Sequence, residues 1–107
     1  MGTRRLPMRD RAMFRLVRDE GVRARAGTVG VAYAPLPDGV FLAFAIGKVV
    51  GNSVTRNRAR RVLRDEFARL GVPTGAYVVR VAAPIQRSEQ LRASLRSAVG
   101  AVTGGEA

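Results

Sequence analysis

Apolar and polar residues alternate along the chain with two different periods, and each change of period marks a predicted element. The apolar residues of Arg11–Glu20 fall on one side of a helix, with Asp10 as its N-cap and Gly21 at its end. Every second residue of Val29–Tyr33 is large and apolar, which is typical of a strand. Val40–Ile46 is apolar at every position, which indicates a strand covered on both faces. A Pro- and Gly-rich turn separates these two strands, so the pattern predicts that they form a hairpin.

The second half of the chain repeats the change from helical to strand periodicity. A tight polar loop precedes a long predicted helix, Val54–Leu70, for which Asn52 or Ser53 can provide the N-cap. Ala76–Val81 is predicted to be a third strand. Ser88 is predicted to cap a last helix, in which apolar residues return at helical spacing. These elements together predict an α+β fold.

The two ends of the chain differ from this pattern. Residues 1–9 are predicted to form a basic extended arm, because Pro7 disfavours helix, and residues 103–107 a loose tail. A chain of 107 residues has room for one core of useful size. We therefore expect residues 1–107 to form a single domain.

Composition excludes much of enzyme chemistry. The chain has no Cys and no His, which removes disulfides, thiolate nucleophiles and the side chain used most often as a general base. No apolar run approaches the roughly 20 residues needed to cross a bilayer, and no secretion signal is recognisable. We expect a cytoplasmic protein without a membrane partner.

Positive charge is the strongest feature of the composition. The net charge is +11 and the pI about 11.8, and all but one of the 19 basic residues are arginine, the exception being Lys48. Eight acidic residues cannot neutralise this surplus. Arginine binds phosphate through two parallel hydrogen bonds, so the charge indicates a nucleic-acid partner.

The long predicted helix separates apolar from basic residues. Its apolar arc consists of Ala59, Val62, Leu63, Phe67 and Leu70. Its opposite arc consists of Asn57, Arg58, Arg60, Arg61, Arg64 and Arg69, interrupted by Asp65 and Ala68, with Arg56 near the edge at the first turn. Like charges side by side destabilise a helix by about 0.2–0.5 kcal/mol a pair. A helix face that is only solvated would therefore contain acidic as well as basic residues. The arc predicts a phosphate-binding helix, although these residues alone do not distinguish RNA from DNA.

The same segment carries a family resemblance. Residues 51–64, Gly-Asn-Ser-Val-Thr-Arg-Asn-Arg-Ala-Arg-Arg-Val-Leu-Arg, resemble the signature helix of the bacterial ribonuclease P protein component. The match continues through Arg64-Asp65-Glu66-Phe67, is preceded by Ile46-Gly47-Lys48, and includes Arg5-Leu6, Phe14 and Gly21 upstream. The resemblance implies an α-β sandwich like domain 2 of ribosomal protein S5, with a left-handed βαβ crossover through the Arg-rich helix.

The resemblance also implies a function. Proteins of this family bind the catalytic RNA of ribonuclease P, which cuts the 5′ leader from precursor tRNA and holds the Mg²⁺ ions, so neither a catalytic residue nor a metal site is expected in the protein. One protein per RNA subunit is implied. The residues implied to contact the catalytic RNA are Lys48, Asn52, Arg56, Asn57, Arg58, Arg60, Arg61 and Arg64. Those implied to line a leader-binding cleft between the first helix and the sheet are Phe14, Val17, Arg18, Tyr33, Leu42 and Phe44.

Several positions depart from the family pattern. Arg18 stands where a second aromatic residue is common, Val49 where a second lysine is frequent, and Val29 and Ala32 at the expected aromatic positions of the first predicted strand. We therefore expect weaker base stacking, with the Arg18 guanidinium taking its place. Phe14, Tyr33 and Phe44 are also open to interpretation as ordinary core residues.

Two other functions remain possible at this point. A small basic ribosomal protein, acting as an RNA scaffold, would have the same composition. A metal-dependent nuclease acting alone would need several carboxylates brought together. The acids available for such a site are Asp10, Asp19, Glu20, Asp65 and Glu66, and most are explained as caps or helix-surface charges.

Overall fold

The computed structural model describes residues 5–7, 10–84 and 87–104. Its strands are β1 (Arg5–Pro7), β2 (Val22–Ala26), β3 (Val29–Pro35), β4 (Val40–Ile46) and β5 (Gly75–Val81). Its α-helices are α1 (Arg11–Glu20), α2 (Ser53–Arg69) and α3 (Ser88–Thr103), and a 3-10 turn occupies Lys48–Val50. Each helix and strand predicted from the sequence is present, with bounds that differ by about one residue, except that β3 extends two residues past Tyr33 to Pro35. The sequence analysis missed β2 and the 3-10 turn.

The five strands form one sheet in the order β1-β4-β5-β3-β2. The predicted hairpin between β3 and β4 is wrong, because β5 lies between them, antiparallel to β3 and parallel to β4. The hairpin partner of β3 is β2, which pairs with it in the register Val22↔Tyr33 to Ala26↔Val29. The apolar character of β4 on both faces is explained by its position between β1 and β5.

A helical crossover joins the two central parallel strands. The chain leaves β4, passes through α2 and returns as β5 beside β4. This arrangement confirms the α+β class and the parallel βαβ unit, while the handedness of the crossover stays a prediction. Its consequence is that α2, the Arg-rich helix, is held at both ends by strands in the middle of the sheet.

The sheet has a different apolar cluster on each face. On one face the odd-numbered residues of β3 and β5 pack with the apolar sides of α2 and α3, around the fully buried Leu63, Phe67, Tyr77 and Leu95. On the other face Val17 of α1 packs with a smaller cluster centred on Ala34 and Ala76. Helices therefore cover both faces, as in the predicted sandwich, but α1 covers only part of its face.

Local hydrogen bonds explain where the helices begin. The Asp10 carboxylate accepts from the amide of Ala12 at 2.8 Å, which confirms it as the N-cap of α1. Of the two caps proposed for α2, the structure selects Asn52. Ser88 does not cap α3; it is the first helical residue, and the preceding Arg87 makes no side-chain cap bond.

Parts of the predicted terminal segments lie outside the described residues. Arg5–Pro7 of the predicted arm forms β1, paired parallel with the first three residues of β4, while residues 1–4 and 8–9 are outside the description. At the other end Thr103 is the last residue of α3, and residues 105–107 are outside it. Among the described helices, none is both long and apolar enough to cross a membrane.

Candidate nucleic-acid interface

The turn before α2 fixes where the Arg-rich helix begins. Val50 is buried and anchors the 3-10 turn, whereas Lys48 in the same turn is exposed. Gly51 follows with φ +148°, a backbone conformation that residues with a Cβ rarely adopt, and an added Cβ would lie 2.9 Å from Thr55 Cγ2. Asn52 then accepts the amide hydrogen of Thr55 at 2.9 Å through its Oδ1. The turn thus places Lys48 beside the N-terminus of α2.

The basic face of α2 points away from the sheet. Asn57, Arg58, Arg61 and Arg64 are exposed, and Arg56 and Arg60 are half-buried. The Arg60 guanidinium donates to Asn57 Oδ1 at 3.0 Å, and that of Arg56 to Ser53 Oγ at 3.4 Å. In the described part of the chain, none of the five arginines between positions 56 and 64 forms an ion pair with an acid. The arginines of the predicted arc between positions 58 and 64 are therefore unneutralised, whereas Arg69, at its end, lies 3.3 Å from Asp65.

The acids of α2 are used elsewhere. Glu66 is 5% exposed, and its carboxylate accepts from Arg96 at 3.0 Å and Arg92 at 3.3 Å, both on α3. Asp65 accepts from the same Arg92 at 2.8 Å and lies 3.3 Å from Arg69. The hydrogen bond from Arg92 is the main reason why the pKa of Asp65 lies below its ordinary value. These bonds join α2 to α3 through Asp65 and Glu66.

Arg64 has an aromatic neighbour in the sheet. Its guanidinium carbon lies 5.4 Å from the centre of the Phe44 ring, within the range of a cation–π contact. Phe44 is half-buried at the margin of the larger apolar cluster. The Phe44 ring therefore packs against one side of the Arg64 guanidinium, while the Arg64 side chain remains exposed.

A basic cleft of about 880 Å³ lies between α1 and the uncovered part of the sheet. It is lined by residues from four elements: Arg11, Phe14, Arg15, Val17, Arg18, Arg23, Ala24, Arg25, Gly30, Val31, Ala32, Val78 and Arg80. Six of these are arginines and none is acidic. Small residues from β3 form much of its floor, and Phe14, 41% exposed, stands at its side. The cleft is open and cationic.

Two of the cleft arginines have hydrogen bonds that restrict them. Arg18 Nε donates to Asp19 at 2.9 Å in an exposed ion pair, and that hydrogen bond is the main cause that lowers the pKa of Asp19. Arg23 donates to the main-chain oxygen of Arg18 at 2.8 Å, near the end of α1, where the helix dipole favours a cation. The bond from Arg23 ties the cleft wall formed by α1 to its rim on β2, whereas the bond between Arg18 and Asp19 lies within α1.

Comparison with known proteins agrees with this arrangement. A model of the ribonuclease P protein family matches residues 3–102, nearly the whole chain. The chain belongs to the ribonuclease P protein family. A search of curated proteins gives no significant match.

Solved structures of bacterial ribonuclease P proteins share the fold. The protein from Staphylococcus aureus is 21% identical with a TM-score of 0.78, over 91% of this chain and 96% of that one. The protein from Thermotoga maritima is also 21% identical with a TM-score of 0.74, over 94% and 98% of the two chains. At this identity the likeness shows the fold of the ribonuclease P protein, including a sheet with helices on both faces.

The structure brings only half of the predicted leader-binding residues to the cleft. Phe14 and Arg18 line it, and Val17, 1% exposed, contributes to its base while holding α1 on the sheet. Tyr33, Leu42 and Phe44 lie on the opposite face of the sheet, in or beside the larger apolar cluster. The structure does not bring these three to the cleft, since alternate residues of a strand face opposite ways.

Tyr33 belongs instead to an aromatic group in the core. Its ring stacks on Tyr77 at 4.6 Å between centroids, and Phe67 meets Tyr77 edge-on at 5.1 Å. The Tyr33 hydroxyl donates to the main-chain oxygen of Thr74 at 3.1 Å. Burial raises the pKa of Tyr77, whose hydroxyl donates to the Pro73 oxygen at 2.6 Å. The core interpretation of Tyr33 therefore fits its contacts.

The sequence analysis missed most of the cleft arginines. Arg23 and Arg25 lie on β2, which it did not predict, although their alternation with Ala24 and Ala26 is a strand signal. Arg80 occurs at an exposed position of the otherwise apolar β5. Arg11 and Arg15 lie on α1, which the sequence predicts as a helix, but nothing in its pattern assigns them to the cleft.

The described residues do not form a metal-binding cluster. No group of three or more acidic side chains converges within the described ranges. Asp65 and Glu66, the two adjacent acids of α2, are already bound to the arginines of α3. This donor set does not suit a resident Mg²⁺ ion.

Proposed function

We propose that this ribonuclease P protein binds the catalytic RNA through the basic face of α2 and the 5′ leader of precursor tRNA in the cleft beside α1. Family membership makes the chain a subunit of ribonuclease P, an enzyme of tRNA processing. The single observation that carries the proposal is the unneutralised row of arginines on α2, directed away from the protein's own core.

The two surfaces lie on opposite sides of the sheet. The apolar side of α2 packs on one face with α3, and the cleft opens on the other face beside α1. A protein bound to RNA through α2 therefore keeps its cleft open to a second polyanion. This separation supports a subunit that joins the catalytic RNA to the leader of its substrate.

The proposed division of labour leaves the hydrolysis to the RNA. The protein supplies positive charge, hydrogen-bond donors and one exposed aromatic ring, Phe14, on which a base of any sequence can stack. In this proposal the Mg²⁺ ions are held by the RNA, and one protein acts with each RNA subunit in the cytoplasm. The protein's contribution is tighter binding of precursor than of mature tRNA.

The family match favours this function over the two alternatives. A ribosomal scaffold protein would cosediment with ribosomal subunits and would not stimulate leader removal. A nuclease acting alone would cleave precursor tRNA without the RNA subunit.

The experiment reconstitutes the chain with a bacterial ribonuclease P RNA at low Mg²⁺ and measures leader removal. We expect stimulation over the RNA alone. Arg58→Gln and Arg61→Gln should each weaken binding of the RNA subunit and reduce the slope of log affinity against log salt by about 0.7–0.9 per lost phosphate contact. Arg87→Gln, at an exposed position before α3, is the matched control and should change neither quantity.

A cleft variant separates the two surfaces. Phe14→Ala should leave affinity for the RNA subunit unchanged and reduce the preference for precursor over mature tRNA. Base–aromatic stacking contributes about 1–3 kcal/mol, so a loss of fivefold or more is expected. No stimulation by the wild-type protein, or equal defects for Phe14→Ala and the α2 variants, would contradict the proposal.

A further inference from the structure

Gly30 lies in the floor of the cleft between two arginines. In the sheet register it is directly opposite Arg25 of β2 on one side and Arg80 of β5 on the other. Residues opposite each other in antiparallel strands point to the same face, and neighbouring strands are about 4.8 Å apart. The Cα atoms of the two arginines are therefore about 10 Å apart, and no side chain lies between them on the cleft face.

The fold does not require glycine at this position. The backbone of Gly30 is outside the left-handed region, and a Cβ added there would meet only the main-chain oxygen of Ala24, at 3.9 Å. By contrast, an added Cβ at Gly51 or Gly75 would lie 2.9 Å or less from a neighbouring atom. Glycine inside a strand costs stability, and it often marks a place where a ligand approaches the backbone closely.

Charge at this place is not balanced by the protein. Arg25 and Arg80 are exposed, and neither forms an ion pair among the residues that the structure describes. Two residues along the same pair of strands, and on the same face, Arg23 lies opposite Ala32. This pair adds a third cation and another small residue. Arginines flanking an empty position suit a tetrahedral anion, because guanidinium groups bind phosphate oxygens in pairs.

Aromatic rings, in contrast, are scarce here. Of the described residues lining the cleft, only Phe14 is aromatic, and it belongs to the helix wall. The sheet floor offers no ring on which a base could stack, since Ala32 and Gly30 occupy β3 there. The floor is therefore built to contact the backbone of a nucleic acid, and base contacts are left to the side of the cleft.

We propose that Arg25, Gly30 and Arg80 form a phosphate subsite, in which one backbone phosphate of the leader sits over Gly30 between the two guanidinium groups. The inference rests on the proposed function, because it assumes that the cleft holds the leader. It assigns the leader's orientation: its backbone faces the sheet and its bases face α1 and solvent. Binding at this subsite is independent of leader sequence.

The first experiment fills the subsite without removing charge. Gly30→Val should fold at least as well as the wild type, because a β-branched residue suits a strand and an added Cβ makes only an ordinary van der Waals contact, 3.9 Å from the Ala24 main-chain oxygen. Its holoenzyme should bind precursor tRNA on the order of tenfold more weakly, because two charge-assisted hydrogen bonds are blocked, while binding mature tRNA and the RNA subunit normally. Gly71→Val is the matched control, since Gly71 lies after α2, outside the cleft, and an added Cβ there meets nothing within 4 Å.

The second experiment identifies the phosphate. A series of precursor tRNAs carries a single neutral methylphosphonate linkage at each leader position in turn, and a parallel series carries a single abasic nucleotide. One linkage should weaken binding to the wild-type holoenzyme. The same linkage should have a smaller effect on Arg25→Gln or Arg80→Gln, each of which keeps one guanidinium group, and no further effect on the variant that carries both substitutions. With an abasic nucleotide on either side of that linkage, Arg25→Gln and Arg80→Gln should weaken precursor binding by the same factor as they do with the unmodified precursor.

The outcomes separate this inference from the proposed function. If Gly30→Val, Arg25→Gln and Arg80→Gln all bind precursor tRNA like the wild type while Phe14→Ala does not, the subsite is refuted and the leader cleft stands. If every cleft variant, Phe14→Ala included, keeps the full preference for precursor, the leader does not occupy the cleft at all. Should Gly30→Val prove unstable, the two exposed arginine variants still decide the question.

Discussion

Replacing Glu66 by glutamine tests how the RNA-binding helix is held in place. The Glu66 carboxylate is buried on α2, and it accepts hydrogen bonds from Arg92 and Arg96 of α3. A hydrogen bond involving a charged group contributes about 1.5–3 kcal/mol when buried. Arg96 is 53% exposed and Arg92 retains its bond to Asp65, so solvent compensates part of the loss. We expect Glu66→Gln to lower the free energy of unfolding at pH 7 by about 1–2 kcal/mol.

The pH dependence of this effect has a definite sign. Burial alone would raise the pKa of Glu66, but the hydrogen bonds from Arg96 and Arg92 and their charges outweigh it, and the pKa lies below its ordinary value. A carboxylate with a lowered pKa in the folded state stabilises the protein above its unfolded pKa of about 4.3. That contribution is lost as the pH falls through the folded-state pKa. The difference between wild type and Glu66→Gln should be full at pH 7 and should shrink below about pH 4.

Urea unfolding followed by far-UV circular dichroism measures this difference at pH 7 and at pH 3. The corresponding fall in Tm at pH 7 is about 4 °C for each kcal/mol in a chain of this size. Glu20→Gln is the control, because Glu20 is exposed at the end of α1, and it should change stability by about 0.5 kcal/mol or less. Equal stability of wild type and Glu66→Gln at pH 7, or a difference that does not change with pH, would refute the reasoning.

Two further substitutions test the start of α2 and the placement of the cleft. Asn52→Ala removes the side-chain oxygen that accepts from the Thr55 amide, and it should lower the free energy of unfolding by about 1 kcal/mol in urea titrations, whereas Asn52→Asp should restore it. Phe44→Leu removes the ring beside Arg64 on the face opposite the cleft, so the ratio of affinities for precursor and mature tRNA should not change. A loss of that ratio comparable to the loss in Phe14→Ala would show that the cleft has been placed on the wrong face.

The elements of the fold were predictable because each has a local signal. Helix α1 has its cap at Asp10, α2 has a clear separation of apolar and basic residues, and β4 is uniformly apolar. The pairing of strands was not predictable from such signals. The turn between β3 and β4 resembles that of a hairpin. The strand that pairs with β3 in place of β4 is β5, which begins at Gly75, about 40 residues after the end of β3, so this pairing depends on packing across the whole sheet.

The candidate site was predictable where charge is concentrated in one element. The arginines of α2 face outward as the helical spacing predicts. The cleft was only partly predictable, because aromatic character pointed to Tyr33 and Phe44, which face the core. The floor of the cleft has small residues such as Gly30, and an absent side chain gives no sequence signal until the register shows what flanks it.

The central position of β5 determines when the protein can complete its fold. This strand is the last to be synthesised, yet it separates β3 from β4 and supplies Tyr77 to the aromatic group of the core. A nascent chain that ends before Gly75 therefore lacks the strand that joins β3 to β4, and its β1–β4 and β2–β3 pairs cannot form one sheet. The arginine-rich helix reaches its folded position only once β5, and then α3 with its bonds to Glu66, have been synthesised, so a nascent chain that stops before them does not yet present the form proposed to bind RNA.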